Sequence, residues 1–146
     1  MKKQAYTIIA LLVLTVSLAA AAQAQTSGRS ELRASIPFQF HVGDTTMPAG
    51  EYTVHQINPA SDHCALQLRS KDGRSSAMIQ MINVMGKAGE RARLVFHRYG
   101  EQYYFSQAWT AGNETGWQAP RSKAERSRPR LARGEPATET VALTTR

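Results

Sequence analysis

One cysteine, Cys64, stands in a chain of 146 residues, which excludes an internal disulfide and any paired-cysteine metal motif. The chain also has no G-x-S-x-G elbow, no Walker loop, no glycine-rich dinucleotide loop opening a helix and no H-E-x-x-H pair. Glu90, Glu101 and Asp72 fall at expected turns, where carboxylates are ordinarily solvated, so paired acid–base chemistry finds little support. The expectation is a protein that is not an enzyme and holds no cofactor. Long apolar runs are scarce: a mean hydropathy of −0.40 with 20% charged residues excludes a polytopic membrane protein. The length allows a single domain.

The one extended apolar run, Thr7 to Leu18, follows Lys2 and Lys3 and leads into Ala22-Gln23-Ala24. A basic start, an apolar core and a small-x-small ending form a secretory signal, expected to be removed after residue 24. A membrane anchor would need about 20 apolar residues, so no membrane span is expected after cleavage. The expected location is outside the cytoplasm, either periplasmic or extracellular.

Net charge is +7, and most of it lies late in the chain. From Ala119 to Arg146 there are seven basic residues, namely Arg121, Lys123, Arg126, Arg128, Arg130, Arg133 and Arg146, against Glu125, Glu135 and Glu139. The same stretch carries Pro120, Pro129, Gly134 and Pro136 but no aromatic residue. With so little apolar surface to offset the entropy of ordering, residues 119–146 read as a basic, mostly disordered tail. Within it, Ser122-Lys123-Ala124-Glu125 matches a capping box behind Pro120, so a short helix ended by Pro129 is compatible.

Residues 25–118 read as strands. Ile36, Phe38, Phe40 and Val42 alternate with polar residues and meet a turn at Gly43-Asp44; Tyr52 to Ile57 follows Pro48-Ala49-Gly50. These two runs suggest a hairpin. Asp72-Gly73 marks a second hairpin, with Leu68 facing Ala77, Leu66 facing Ile79 and Cys64 facing Met81. The third joins Ala92–His97 to Tyr103–Trp109 around Tyr99-Gly100; with Arg98 opposite Glu101, Phe96 meets Tyr103 and Leu94 meets Phe105. About six strands without a long helix predict an all-β fold, either a small antiparallel barrel or a sandwich. Cys64 alternates with Leu66 and Leu68 and is expected to be buried, as a thiol in a monomer should be.

Ile36-Pro37-Phe38-Gln39-Phe40-His41-Val42-Gly43, Pro48-Ala49-Gly50-Glu51-Tyr52-Thr53-Val54 and Val95-Phe96-His97-Arg98-Tyr99-Gly100 together resemble a family of short exported bacterial proteins. That family carries IPFxFxVG, PAGxYxV and VFHRYG motifs, often followed by a basic segment like Ser122 to Arg126. The resemblance spans most of the chain after the signal. It implies export, and it brings no activity, cofactor or catalytic residue to carry over.

His41 and His55 share the polar face of the first expected hairpin. With Val42 opposite Val54 they would be cross-strand neighbours, about 5 Å apart at Cβ, and two ligands of a metal if His97 came near as a third. A register shifted by two residues separates them, and exposed surface histidines are the simpler expectation. The basic residues Arg121, Lys123, Arg126, Arg128, Arg130 and Arg133 suit an anionic envelope surface or another envelope protein. They follow an export signal and lack aromatic partners for stacking bases, so nucleic acid is not expected. The function expected is a non-enzymatic exported interaction or structural module. The alternative is a carrier holding an apolar guest among Phe38, Phe40, Phe96, Phe105 and Trp109, with an enzyme or metal binder behind it.

Overall fold

A computed structural model describes residues 31–58, 64–128 and 136–145. The signal segment, His63, Arg130 and Arg133 lie outside the described residues. The strands are β1 Leu32–Ile36, β2 Phe40–Val42, β3 Thr45–Met47, β4 Gly50–Ile57 and β5 Cys64–Ser70. They continue as β6 Ser76–Met85, β7 Arg93–Tyr99, β8 Gln102–Trp109, β9 Thr115–Gln118 and β10 Ala137–Thr145, with one helical turn, α1, at Lys123–Arg126. Hydrogen bonds run β8-β7-β10-β1-β4-β5-β6-β9 and return from β9 to β8, so eight antiparallel strands close a barrel. Of the two expected architectures, the barrel is the one formed, with more strands than the six read from the sequence.

The run from Ile36 to Val42 is two strands because Pro37 cannot donate to a ladder. β1 ends at Ile36 and pairs with β4, placing Ala34 opposite Tyr52 and Leu32 opposite Val54. The chain then turns away and returns as the β2–β3 hairpin, whose Gly43 has φ +58, a left-handed conformation natural to glycine at this tight turn. β9 is too short to cover the start of β6 and β8. The hairpin fills that gap, with β2 hydrogen-bonded in parallel to β8 and both its strands touching β6.

The β5–β6 register is the expected one, with Cys64 opposite Met81, Leu66 opposite Ile79 and Leu68 opposite Ala77. Cys64 is 1% exposed, and burial pushes its thiol pKa up. In the β7–β8 hairpin Tyr99 faces Gln102 and Phe96 faces Phe105, not Tyr103. Farther along, Val95 faces Gln107, which leaves Ser106 as the extra residue of a β-bulge. The bulge reverses the alternation of β8, so Ala108 faces Leu94 inside and Trp109 faces Arg93 outside.

Inside the barrel Phe40, Leu68, Leu94 and Phe96 are fully shielded. Phe96 meets Phe38, Phe40 and Phe105 edge to face, with ring centroids 5.3, 5.4 and 5.8 Å away. Eight strands give an interior that side chains fill or that holds one small ligand. Here the aromatics proposed as a guest's lining pack on one another. Trp109 is not among them: it lies on the outer wall, where a Cβ on Gly116 would approach its ring to 2.6 Å.

The expectation of a disordered tail is corrected by β10. This strand joins the barrel between β7 and β1, with Leu143 buried opposite Ala34 and Val141 opposite Leu94. Its own sequence is poor in large apolar side chains, but β1 and β7 supply the apolar contacts and the ladder partners. Ala119 is buried as well, so order extends through both described parts of residues 119–146.

Candidate functional site

His41 and His55 do not come together. Once Pro37 has divided the first run, His41 lies on β2 opposite Thr46, 3.2 Å from its hydroxyl, and stacks on Tyr104 with ring centroids 4.8 Å apart. His55 lies on β4 opposite Gln67. Among the described residues no group of three or more His, Cys, Asp or Glu could hold a metal ion.

The histidine with chemistry around it is His97. Outward-facing residues of β7 and β8 bring His97, Tyr99, Tyr104 and the bulge residue Ser106 to one patch of barrel wall. The Ser106 carbonyl accepts from Ala119 N–H at 2.7 Å, which fixes the chain as it leaves β9. Ser122 then caps α1 by accepting from the Glu125 N–H at 3.0 Å. The Glu125 side chain does not fold back as a capping box would have it. It turns onto the barrel, its Oε1 lying 2.9 Å from His97 Nδ1, accepting from the Tyr99 hydroxyl at 3.1 Å and standing 3.9 Å from Arg121 Nε. On the other side of the imidazole, Ser106 Oγ is 3.0 Å from His97 Nε2.

Serine, imidazole and carboxylate thus stand in the order of a nucleophilic relay. Access decides what the relay can do. Ser106 is only 3% exposed and Glu125 only 6%, so the hydroxyl is walled in by the barrel and the chain from Ala119 onward. In this arrangement the three groups satisfy one another and fasten α1 to the wall. Burial pushes the Glu125 carboxyl up. The hydrogen bonds from His97 and Tyr99 and the charges of His97 and Arg121 outweigh it, leaving the pKa below its ordinary value. The Tyr99 phenol is pushed up by burial and by its bond to Glu125.

The expected anion-binding residues divide in the same place. Arg128 is drawn into the latch, with its guanidinium 4.7 Å from the Tyr99 ring centre and 5.8 Å from that of Tyr104. It also donates to Gln102 Oε1 and, at 3.3 Å, to the Tyr104 hydroxyl. Arg121, Lys123 and Arg126 remain exposed on α1 and its approach. The capping pattern at Ser122 was readable in advance, whereas the bulge that aims Ser106 at His97 leaves no mark in the alternation.

A second feature lies on the outer face of β1, β4 and β5, a groove of about 620 Å³ whose lining includes the Ser70–Gly73 turn. Its carboxylates are already engaged: Glu31 meets Arg33 at 3.0 Å, Glu51 meets Lys71 at 2.6 Å, and Asp72 accepts from Ser70 Oγ at 2.5 Å and the Arg74 N–H at 3.0 Å. The hydrogen bond and charge of Lys71 hold Glu51 below the usual carboxylate range, and the Ser70 hydroxyl does most to lower Asp72.

Compared with family models, curated proteins and solved structures, the chain matches none.

Proposed function

We propose that the protein is a non-enzymatic exported β-barrel. It acts as a monomeric interaction module of the bacterial envelope, and its exposed cations draw it to anionic surfaces. The observation that carries this reading is the latch. Glu125 and Arg128 fix the basic segment to the barrel, and the exposed Arg121, Lys123 and Arg126 on that segment form a preorganised patch. A fixed patch loses less conformational entropy on binding than a loose tail would. Export is supported by the basic-apolar-small pattern of residues 1–24 and by the resemblance to short exported proteins. The closed, side-chain-filled barrel and the walled-in Ser106 support a role other than catalysis or carriage.

Vesicle co-sedimentation tests the reading. The protein should bind vesicles rich in anionic lipid and not zwitterionic ones, lose binding as salt is raised, and lose most of it in the Lys123→Glu/Arg126→Glu variant. Salt-independent binding, or equal binding by the variant, would remove the patch from the function.

A further inference from the structure

We propose that the groove over β1, β4 and β5 is a second binding site, one that takes an acidic oligosaccharide through Arg33 and Arg69. This deepens the interaction-module reading and rests on it, but it uses none of the cations of α1. The register sets Arg33 opposite Thr53 and Thr53 opposite Arg69, so the two arginines flank a threonine in one row across three strands. Two interstrand steps put their Cα atoms about 10 Å apart. Thr144 extends the row on the far side of Arg33.

Charge decides which ligand suits that row. Glu31, Glu51 and Asp72 each have a cation within ion-pair distance, namely Arg33, Lys71 and Arg74. Arg69 has no carboxylate within that distance among the described residues, and its side chain is exposed beside the Gly73 turn. It is therefore the groove cation left without an ion-pair partner among the described residues, in a lining whose three carboxylates and three cations otherwise balance. A guanidinium in that position takes a carboxylate or phosphate oxygen pair through two parallel N–H donors. Thr53, Ser70 and Thr144 give their hydroxyl protons to Arg69 O, Asp72 Oδ1 and Arg33 O, which leaves their oxygens facing the groove as acceptors for a ligand that carries many hydroxyls. A sugar chain bearing acidic groups has both features, whereas a bare anion has only one.

Isothermal titration with tetragalacturonate, neutral maltotetraose and inorganic phosphate tests this. The acidic oligosaccharide should bind, the neutral one should not, and phosphate should bind at least about tenfold more weakly. Arg69→Gln should lower affinity for the acidic oligosaccharide by about tenfold or more, with its melting temperature within about 1 °C of the wild type because the residue is exposed. Lys123→Gln/Arg126→Gln should bind the oligosaccharide like the wild type while losing vesicle binding, which separates failure of this site from failure of the α1 patch. Undiminished affinity in Arg69→Gln would overturn the assignment. So would equal affinity for the neutral sugar, phosphate binding as tight as the oligosaccharide's, or a loss in the α1 variant as large as that in Arg69→Gln.

Discussion

The two faces of the β7–β8 ladder are built on opposite principles. Inside, Leu94, Phe96, Phe105 and Ala108 pack against the rest of the core with no polar partner to satisfy. Outside, His97, Tyr99, Tyr104 and Ser106 are covered by a single helical turn, and their hydroxyls and ring nitrogens are matched one by one. The inner face is held by area and shape, which tolerate small shifts of position. The outer face is held by direction, so removing one member leaves its buried partners unsatisfied. An aromatic core sets whether the barrel exists, while a polar latch sets where a particular segment lies on it.

The strand that flanks this ladder gives the largest expected effect. β10 pairs with β7 along six residues and with β1 along three. Ending the chain after Pro136 should open the barrel and abolish cooperative folding, seen as loss of near-ultraviolet dichroism and of amide dispersion in NMR spectra. A truncated protein that still melted cooperatively would show that the barrel closes without it. Within the inner face alone, Phe96→Ala removes a fully shielded ring that touches three other aromatics. It should cost about 3–5 kcal/mol in denaturant unfolding, with the latch residues still protected from proteolysis below the transition.

How much of this was legible depends on where the partner of each residue lies in the chain. The β5–β6 hairpin could be registered residue by residue because its turn and both apolar faces are local. The β1–β4 pairing was half visible. Tyr52 and Val54 do pair with an apolar strand, but Pro37 hands that role to Leu32–Ile36 and sends Phe40 and Val42 to the far side of the barrel. β10 is not legible from its own composition even though Thr138, Thr140, Val141 and Thr144 are β-branched, because its apolar contacts and ladder partners come from β1 and β7, distant in the chain. Of the site, the Ser122 cap was readable. The destination of the Glu125 carboxylate was not, since it depends on a bulge and on a contact 28 positions away in sequence.

Breaking the outer face should have a smaller and more local effect than Phe96→Ala. Glu125→Ala leaves His97 and Tyr99 without their shared acceptor, at a cost of about 1–3 kcal/mol, and should speed tryptic cleavage at Arg121, Lys123 and Arg126 while the barrel stays folded. The pH dependence follows from the direction of its shift. The folded carboxyl sits below its ordinary value of 4.5, so its stabilising contribution is fully present above that pH and is lost as the pH falls through the folded value. Wild type and Glu125→Gln should therefore differ most above pH 4.5 and converge in more acid solution. A gap that widened on acidification would mean that the carboxylate is not the charged member of the latch.

The smallest expected effect distinguishes a latch from a hidden active site. Ser106 has the hydrogen bond to imidazole that activates a nucleophile, and a serine-directed fluorophosphonate would find it if a substrate could reach it. With the residue 3% exposed, the folded protein should remain unlabelled over hours, and Ser106→Ala should lower stability by about 1 kcal/mol, the worth of an ordinary hydrogen bond. Glu125→Ala sharpens the test, because it should release α1 and uncover Ser106 while removing the group that orients His97. Access without orientation should still give no labelling. Rapid labelling of wild-type Ser106 would turn the comparison round, making the covering helix a lid over a nucleophile and the barrel wall beneath it an active site.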